Sequence, residues 1–245
     1  MQVPRALYLA MIAVVGYGRM GRMVAEIAGR DVVVCERDRT RWDGRQFCVP
    51  MLCDLPSVPQ VIIDFSSPSA LPSIAAYAVR HQVPVVVATT GFDREGETSI
   101  AALANEVAVY RCANMSATMP AFVRACFGVA EAMFGCRITV HEIHRADKPD
   151  APSGTARMLL DHLESLPWVR GWQMGESDRN DTIGVTYLRI GDEVGVHRVT
   201  CQTELECVTM EHRALDRAVF ARGALRVAQW LIGKPPRLYG PEDFK

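Results

Sequence analysis

Two short stretches of this sequence hold residues whose types and spacing suit chemistry. The first runs His141-Glu142-Ile143-His144-Arg145-Ala146-Asp147-Lys148-Pro149-Asp150-Ala151-Pro152-Ser153-Gly154-Thr155-Ala156. Its Ser153-Gly154-Thr155 run reads as the opening of a helix, where a hydroxyl and first-turn N–H groups hold a carboxylate. His144 and Lys148 lie just upstream and place two proton-handling groups near that anion site. Of 27 basic residues only Lys148, Lys234 and Lys245 are lysines. Arginine serves wherever a fixed positive charge suffices but does not give up a proton near neutrality, so a mid-chain lysine is informative. The second stretch, Gly16-Tyr17-Gly18-Arg19-Met20-Gly21, fits GxGxxG. Gly16 allows the tight turn, Gly18 lets the backbone approach a pyrophosphate, and Gly21 allows close helix–strand packing. Glu36, 20 residues after Gly16, suits the hydroxyls of an adenosine ribose. Its carboxylate repels a 2′-phosphate while the adjacent Arg37 can pair with one, so the expected cofactor is NADH, with NADPH tolerated.

These residues need elements to carry them. Residues 8–15 read as a strand, the glycines as a turn, residues 19–28 as a helix and residues 31–35 as a second, valine-rich strand ending at Glu36. Residues 37–60 lack a clear period and read as connecting structure. Strands at 61–65, 83–88 and 107–111 alternate with helices at 71–81 and 93–105. Short apolar strands separated by helices of this length imply βαβ units on a parallel sheet, buried on both faces. The second half differs. Residues 117–134 read as a long helix, 137–144 as a strand, 153–166 as a helix, and 182–190, 194–203 and 205–210 as strands of a mixed, largely antiparallel sheet, with Asp192 and Gly195 in the turn between the first two. A last helix at 215–232 suits a return to the first domain. The expected fold class is α/β: a Rossmann-like parallel-sheet domain, residues 1–115 plus 217–245, interrupted by an α+β domain, residues 116–216.

Composition narrows the function classes. The chain has 245 residues, 49% hydrophobic and 22% charged, with a net charge of -1. That is an ordinary globular composition, long enough for a large core without staples, and it carries no basic excess to hold a nucleic-acid backbone. The eight cysteines form no CxxC pair and no zinc-type spacing, so they are expected reduced, mostly buried and not metal-binding. The apolar run at 6–15 is too short to span a bilayer and meets a glycine turn rather than a cleavage site, which suits a buried strand and a cytoplasmic protein. Met11 offers an alternative start. His141, His81, His162, His197 and His212 are expected in packing or surface roles.

The segment from Glu142 to Thr155 strongly resembles dihydrodipicolinate reductases, whose characteristic stretch is E-x-H-H-x-x-K-x-D-A-P-S-G-T. The match holds at Glu142, His144, Lys148, Asp150, Ala151, Pro152, Ser153, Gly154 and Thr155. Further matches follow in the family's order: Gly16 and Gly18 with Arg19-Met20-Gly21, Val61 to Ser66, Thr89-Thr90-Gly91-Phe92, Ala113-Asn114-Met115-Ser116, and Arg217 with Phe220-Ala221-Arg222-Gly223-Ala224. The resemblance implies reduction of a cyclic dicarboxylate in lysine and diaminopimelate biosynthesis with NADH or NADPH, and a homotetramer assembled through the substrate domains. It implies acid–base roles for His144 and Lys148, and a carboxylate clamp at Ser153, Gly154 and Thr155. It further implies cofactor contacts at Thr89, Thr90, Gly91, Ala113, Asn114 and Ser116. Arg145 stands where the family's second histidine lies; it remains cationic and can bind a carboxylate but does not titrate near neutrality. Two other readings compete. An amino-acid dehydrogenase of similar plan, such as aspartate dehydrogenase, explains the glycine loop but not Lys148 with D-A-P-S-G-T. A catalytically silent NAD-binding sensor has no need to keep proton donors.

Overall fold

The computed structural model describes residues 12–244. The start of the strand expected at 8–15 and the alternative start at Met11 lie outside the described residues. The chain forms two compact units, Met1–Ser116 with Ala218–Lys245, and Ala117–Arg217.

The first unit is a parallel seven-stranded sheet. In chain order its strands are β1 (Ile12–Val15), β2 (Val32–Cys35), β3 (Cys48–Val49), β4 (Val61–Asp64), β5 (Val85–Val87) and β6 (Ala108–Arg111), with a late strand Arg237–Tyr239 at the far edge. The spatial order is the late strand, β6, β5, β4, β1, β2, β3. Progression reverses between β1 and β4, and ligands of open α/β sheets bind beyond the strand ends at such a switch point. The strands are runs of Val and Ile because helices cover both faces. Ala13, Val33, Ile62 and Val85 pack with Ile74 and Ile100 of α2 (Leu71–His81) and α3 (Arg94–Leu103). Helix α1 (Arg19–Ala28) and the last helix, Ala218–Leu231, pack together, and the last helix also lies on β4, β5 and β6. Ile62, Ile63 and Ile74 are fully buried, each contributing roughly 1.5–3 kcal/mol.

The second unit sets α4 (Met119–Ala132) and α5 (Gly154–Leu163) against a five-stranded sheet of β7 (Arg137–His144), β8 (Gly171–Met174), β9 (Thr182–Arg189), β10 (Gly195–Gln202) and β11 (Cys207–Ala214). With these in place the last helix of the chain is α6 and the late strand β12. The sheet order is β11-β10-β7-β9-β8. Ile138, Val140, Ile183, Val199 and Cys201 meet Met119, Val123, Leu159, Leu160 and Leu163 in one apolar cluster.

The structure departs from the expected elements in one strand pairing, in three edge strands and at the end of β11. β9 and β10 are not neighbours: β7 lies between them, parallel to β9 and antiparallel to β10. Gly195 therefore opens β10 instead of forming a hairpin turn. β3, β8 and β12 were not expected as strands; each has two to four residues and sits at a sheet edge, where neither alternation nor a long apolar run is required. β11 extends past residue 210 to Ala214. Cys53 and Cys207 are exposed, whereas the other six cysteines are buried; all eight are free.

One glycine fixes how closely α6 approaches the segment after β6. A Cβ on Gly223 would lie 1.7 Å from the Met115 carbonyl oxygen, and that neighbour is backbone. Gly223→Ala should therefore lower stability by more than about 2 kcal/mol, read from the urea midpoint. Gly128→Ala in α4, where nothing lies within 4 Å of the added carbon, should leave the midpoint unchanged or raise it. Equal midpoints for the two variants would refute this close approach.

Candidate active site

The buried face of β7 changes character along its length. Ile138 and Val140 belong to the apolar core, and two and four residues further on the same face carries Glu142 and His144, both buried. Glu142 is 0% exposed, so its carboxylate needs partners from inside the protein. Ser153 N donates to both its oxygens at 3.2 and 3.1 Å, and Arg189 Nη2 donates to Oε1 at 2.8 Å. Arg189 ends β9 opposite His144 in register. Its guanidinium also donates to the carbonyls of Asp150, at 2.6 Å, and Lys148, at 3.4 Å. One arginine thus ties the β7 carboxylate to the loop that follows the strand.

That loop presents Lys148. Its Nζ donates to both oxygens of Asp150, at 2.7 and 2.9 Å. Burial opposes ionisation of Asp150, but the Lys148 ammonium more than offsets this and holds the carboxyl below its ordinary value. Arg145 pairs with Asp147, Nε to Oδ1, at 2.5 Å. The Ala151–Pro152 peptide is cis, and Ser153 then caps α5, its Oγ accepting from Ala156 N at 3.2 Å. Ser153 has therefore committed its amide to Glu142 and its hydroxyl to the cap, and Gly154 and Thr155 follow as the first residues of α5.

His144 is flanked by a second histidine that sequence reasoning placed in a packing or surface role. His197, on β10, sits opposite Glu142 in register. Its Nε2 is 3.1 Å from Ser153 Oγ and 3.7 Å from Glu142 Oε2, and its ring stands edge-on to His144 with centroids 5.0 Å apart. His144 Nδ1 is 3.8 Å from Glu142 Oε2 without a hydrogen bond. Burial pushes His144 down to about 4; Lys148 and Arg189 push the same way, against Glu142. Burial, then the neighbouring His144 and His212, holds His197 well below its ordinary value. Both rings are neutral at neutral pH. Glu142, His144 and His197 also bring three ligand-type atoms within 4.8 Å, but Arg189 and Ser153 N already hold the carboxylate that a cation would need. His141, on the other face of β7, pairs with Thr186 Oγ1 at 2.7 Å. The signal for His197 was its phase: it shares the buried face of β10 with Gly195, Val199 and Cys201.

The first unit gathers the other predicted residues at the carboxyl ends of its strands. A Cβ on Gly16 would lie 2.6 Å from Phe65 O, and one on Gly21 would lie 1.9 Å from Gly16 O. A Cβ on Gly18 meets nothing within 4 Å, and Gly18 caps α1 without a side-chain acceptor. The bare turn before an uncapped helix start fits a dinucleotide pyrophosphate. Arg19 and Met20 are the first residues of α1. Glu36 is buried; its Oε2 accepts from Tyr17 N at 2.8 Å and its Oε1 from Asp38 N at 2.9 Å. It holds the glycine loop directly, and each oxygen keeps a lone pair for a ribose hydroxyl. Arg37 is exposed beside it. Ser66 N donates to Thr89 Oγ1 at 3.0 Å and to Asp64 Oδ1 at 3.0 Å, joining the glycine-loop side to the Thr89-Thr90-Gly91 turn. Arg111 Nη1 donates to Thr89 O at 2.9 Å. Thr90 and Gly91 are exposed. Asn114 Oδ1 accepts from Ser116 N at 2.9 Å, which folds the segment that begins at Ala113. Asp64, Ser66 and Arg111 were not expected as site-building residues; their carboxyl-end placement becomes visible only once the strand order is known.

Comparison with known proteins agrees with this architecture. The profile described as dihydrodipicolinate reductase, N-terminus, matches residues 10–115, and that described as dihydrodipicolinate reductase, C-terminus, matches residues 119–244. The 4-hydroxy-tetrahydrodipicolinate reductase of Caldanaerobacter subterraneus subsp. tengcongensis is 34% identical over 93% of this chain and 94% of its own. That of Methanoculleus marisnigri is 39% identical over 76% of this chain and 75% of its own. In fold, the chain is similar to the dipicolinate-bound dihydrodipicolinate reductase of Paenisporosarcina sp. TG-14, with TM-score 0.73, 19% identity, and 96% of this chain and 99% of that one covered. It is less similar to aspartate dehydrogenase from Thermotoga maritima, with TM-score 0.53, 11% identity, and 93% and 98% covered. This chain belongs to the dihydrodipicolinate reductase family, oxidoreductases of lysine biosynthesis that use NADH or NADPH.

Proposed function

We propose that this chain reduces 4-hydroxy-tetrahydrodipicolinate to tetrahydrodipicolinate, with residues 1–115 and 217–245 holding the cofactor and residues 116–216 the substrate. When bound, the dinucleotide supplies the hydride. Gly16, Gly18, Arg19, Met20 and Gly21 hold its pyrophosphate, Glu36 and Arg37 its adenosine ribose, and Thr89, Thr90, Gly91, Ala113, Asn114 and Ser116 its nicotinamide half. The observation that carries the reading is that Arg189 ties the buried Glu142 carboxylate, with His144 and the α5 N-terminus beside it, to the carbonyls of the loop that carries Lys148. Gly154 and Thr155 receive one substrate carboxylate, with Ser153 shaping that helix end from behind. Arg145 offers a fixed cation to the dianion. Clustered donors of this kind orient a dicarboxylate and favour the transition state.

The expected sharing of acid–base work between His144 and Lys148 is uneven. Burial keeps His144 neutral at neutral pH, so it acts as an uncharged hydrogen-bonding group. Lys148 Nζ delivers the proton that neutralises the charge developing on the ring, and Asp150 aims the ammonium. A homotetramer is part of the proposal. The face of the second sheet turned away from α4 and α5 carries Arg198, Thr200, Thr209 and Glu211, half-buried or exposed. The cytoplasm is the proposed location; the eight free thiols suit it, and no helix among the described residues is long and apolar enough to cross a membrane.

Steady-state oxidation of NADH and NADPH, with substrate generated by condensing pyruvate with aspartate semialdehyde, tests the reaction and ranks the cofactors. Lys148→Ala should lower kcat by about 100-fold or more with NADH affinity near normal; loss of cofactor binding at unchanged kcat would reject its role. Glu36→Gln should weaken NADH more than NADPH, and equal losses would mean that Glu36 serves the loop alone. His144 also links folding to pH. The unfolded chain protonates it near its ordinary value of 6.5 and the folded chain only near 4. Stability should therefore fall as pH drops through this window, by about 2 kcal/mol between about pH 7 and pH 5 from this residue. Urea midpoints check this, and His144→Asn should flatten the dependence.

A further inference from the structure

Gly195 and His197 stand two residues apart on the buried face of β10, against the end of β7 that carries Glu142 and His144. Gly195 is not among the positive-φ residues, so its backbone does not demand glycine. What crowds an added side chain is the His144 ring: a Cβ would lie 3.2 Å from His144 Nε2, 3.4 Å from its Cδ2 and 3.9 Å from His197 Cε1, so the ring would have to give by a few tenths of an ångström. His197 completes the seat from the other side, edge-on to His144 at 5.0 Å. His144 has no hydrogen bond at Nδ1 to hold it, so packing between these two residues fixes its orientation.

His197 does more than fill space. Ser153 Oγ accepts the Ala156 amide and shares a second hydrogen bond with His197 Nε2 at 3.1 Å. This runs a hydrogen-bond chain from the first turn of α5 through Ser153 to β10. A leucine would fill the same space and break the chain.

We propose that Gly195 and His197 are positioning residues for the reaction, forming one seat that sets both the His144 ring and the anion-receiving end of α5. This rests on the assignment of His144 and the α5 N-terminus to the substrate. The groups that face the seat are Glu142, Lys148, Asp150 and Arg189 around His144, and His212 beside His197.

The test uses the full chain with His197→Leu, His197→Gln and Gly195→Ala. Readouts are kcat and KM in the coupled assay, NADH affinity by fluorescence, inhibition by pyridine-2,6-dicarboxylate as a probe of the substrate seat, and urea midpoints. His197→Leu should lower kcat/KM roughly 10- to 100-fold and weaken the dicarboxylate at least about fivefold, with NADH affinity within about twofold of the parent. His197→Gln keeps a polar atom near the Nε2 position and should recover most of the loss. Gly195→Ala should lower kcat/KM about tenfold at a nearly unchanged urea midpoint. Full activity of His197→Leu, or a Gln variant as impaired as Leu with losses that track the urea midpoint, would overturn the seat. A parent chain that fails to reduce the substrate while His197→Leu still weakens the dicarboxylate would sink the proposed reaction and leave the seat standing.

Discussion

The Glu142 carboxylate is the constraint around which the second unit is arranged. A charged group at 0% exposure costs several kcal/mol unless its environment answers it. The answer comes from three separate pieces of chain. Arg189 on β9 supplies the counter-charge, Ser153 at the start of α5 supplies an amide, and His197 on β10 stands over one oxygen. Satisfying one buried oxygen pair therefore fixes the register of three strands and the starting point of a helix. Lys148 and Gly154–Thr155 inherit their positions from that arrangement. Removing either Arg189 or Glu142 would leave its partner buried and uncompensated, so the pair acts as an organiser of the site more than as a source of net stability.

The first unit solves a similar problem with neutral backbone. Its glycine loop has to stay open toward a pyrophosphate, so loop geometry is held from behind. Glu36 accepts the Tyr17 amide, Phe65 N donates to Val15 O, and Ser66 bridges to Thr89. Glu36 thus shapes the loop, and under the proposed function the same carboxylate meets the ribose with the lone pairs left over. The carboxyl-end network of Asp64, Ser66, Thr89 and Arg111 does for the second half of the sheet what Glu36 does for the first.

Much of this was legible in the sequence because the signals were local. Long apolar runs, glycine punctuation and helical periodicity located β2, α1, β4, α2, β7 and α6 closely, since each buries a continuous stripe or face. The short edge strands β3, β8 and β12 carried no such signal. The order of β7, β9 and β10 is set by pairing across the sheet, which spacing alone does not encode, and this is why Gly195 read as a turn residue. The same long-range pairing hid Arg189 and His197. Both lie more than 40 residues from Glu142 or Ser153 in sequence, and only the register brings them to those groups.

In the proposed mechanism burial, rather than residue type, selects the group that handles protons. His144 and His197 have the ring that titrates most readily in solution, yet both are buried beside Lys148 and Arg189 and stay neutral. Arg145, beside His144 in the loop after β7, has no proton to offer near neutrality. That leaves Lys148, which is half-buried, paired with Asp150 and carried by a loop held at its carbonyls by Arg189. The proposed proton donor is thus an ammonium held in place by one carboxylate and one anchored loop. In that reading the two imidazoles serve geometry: a neutral ring adds hydrogen-bonding direction to the site without adding a second charge that the Glu142 carboxylate would have to share.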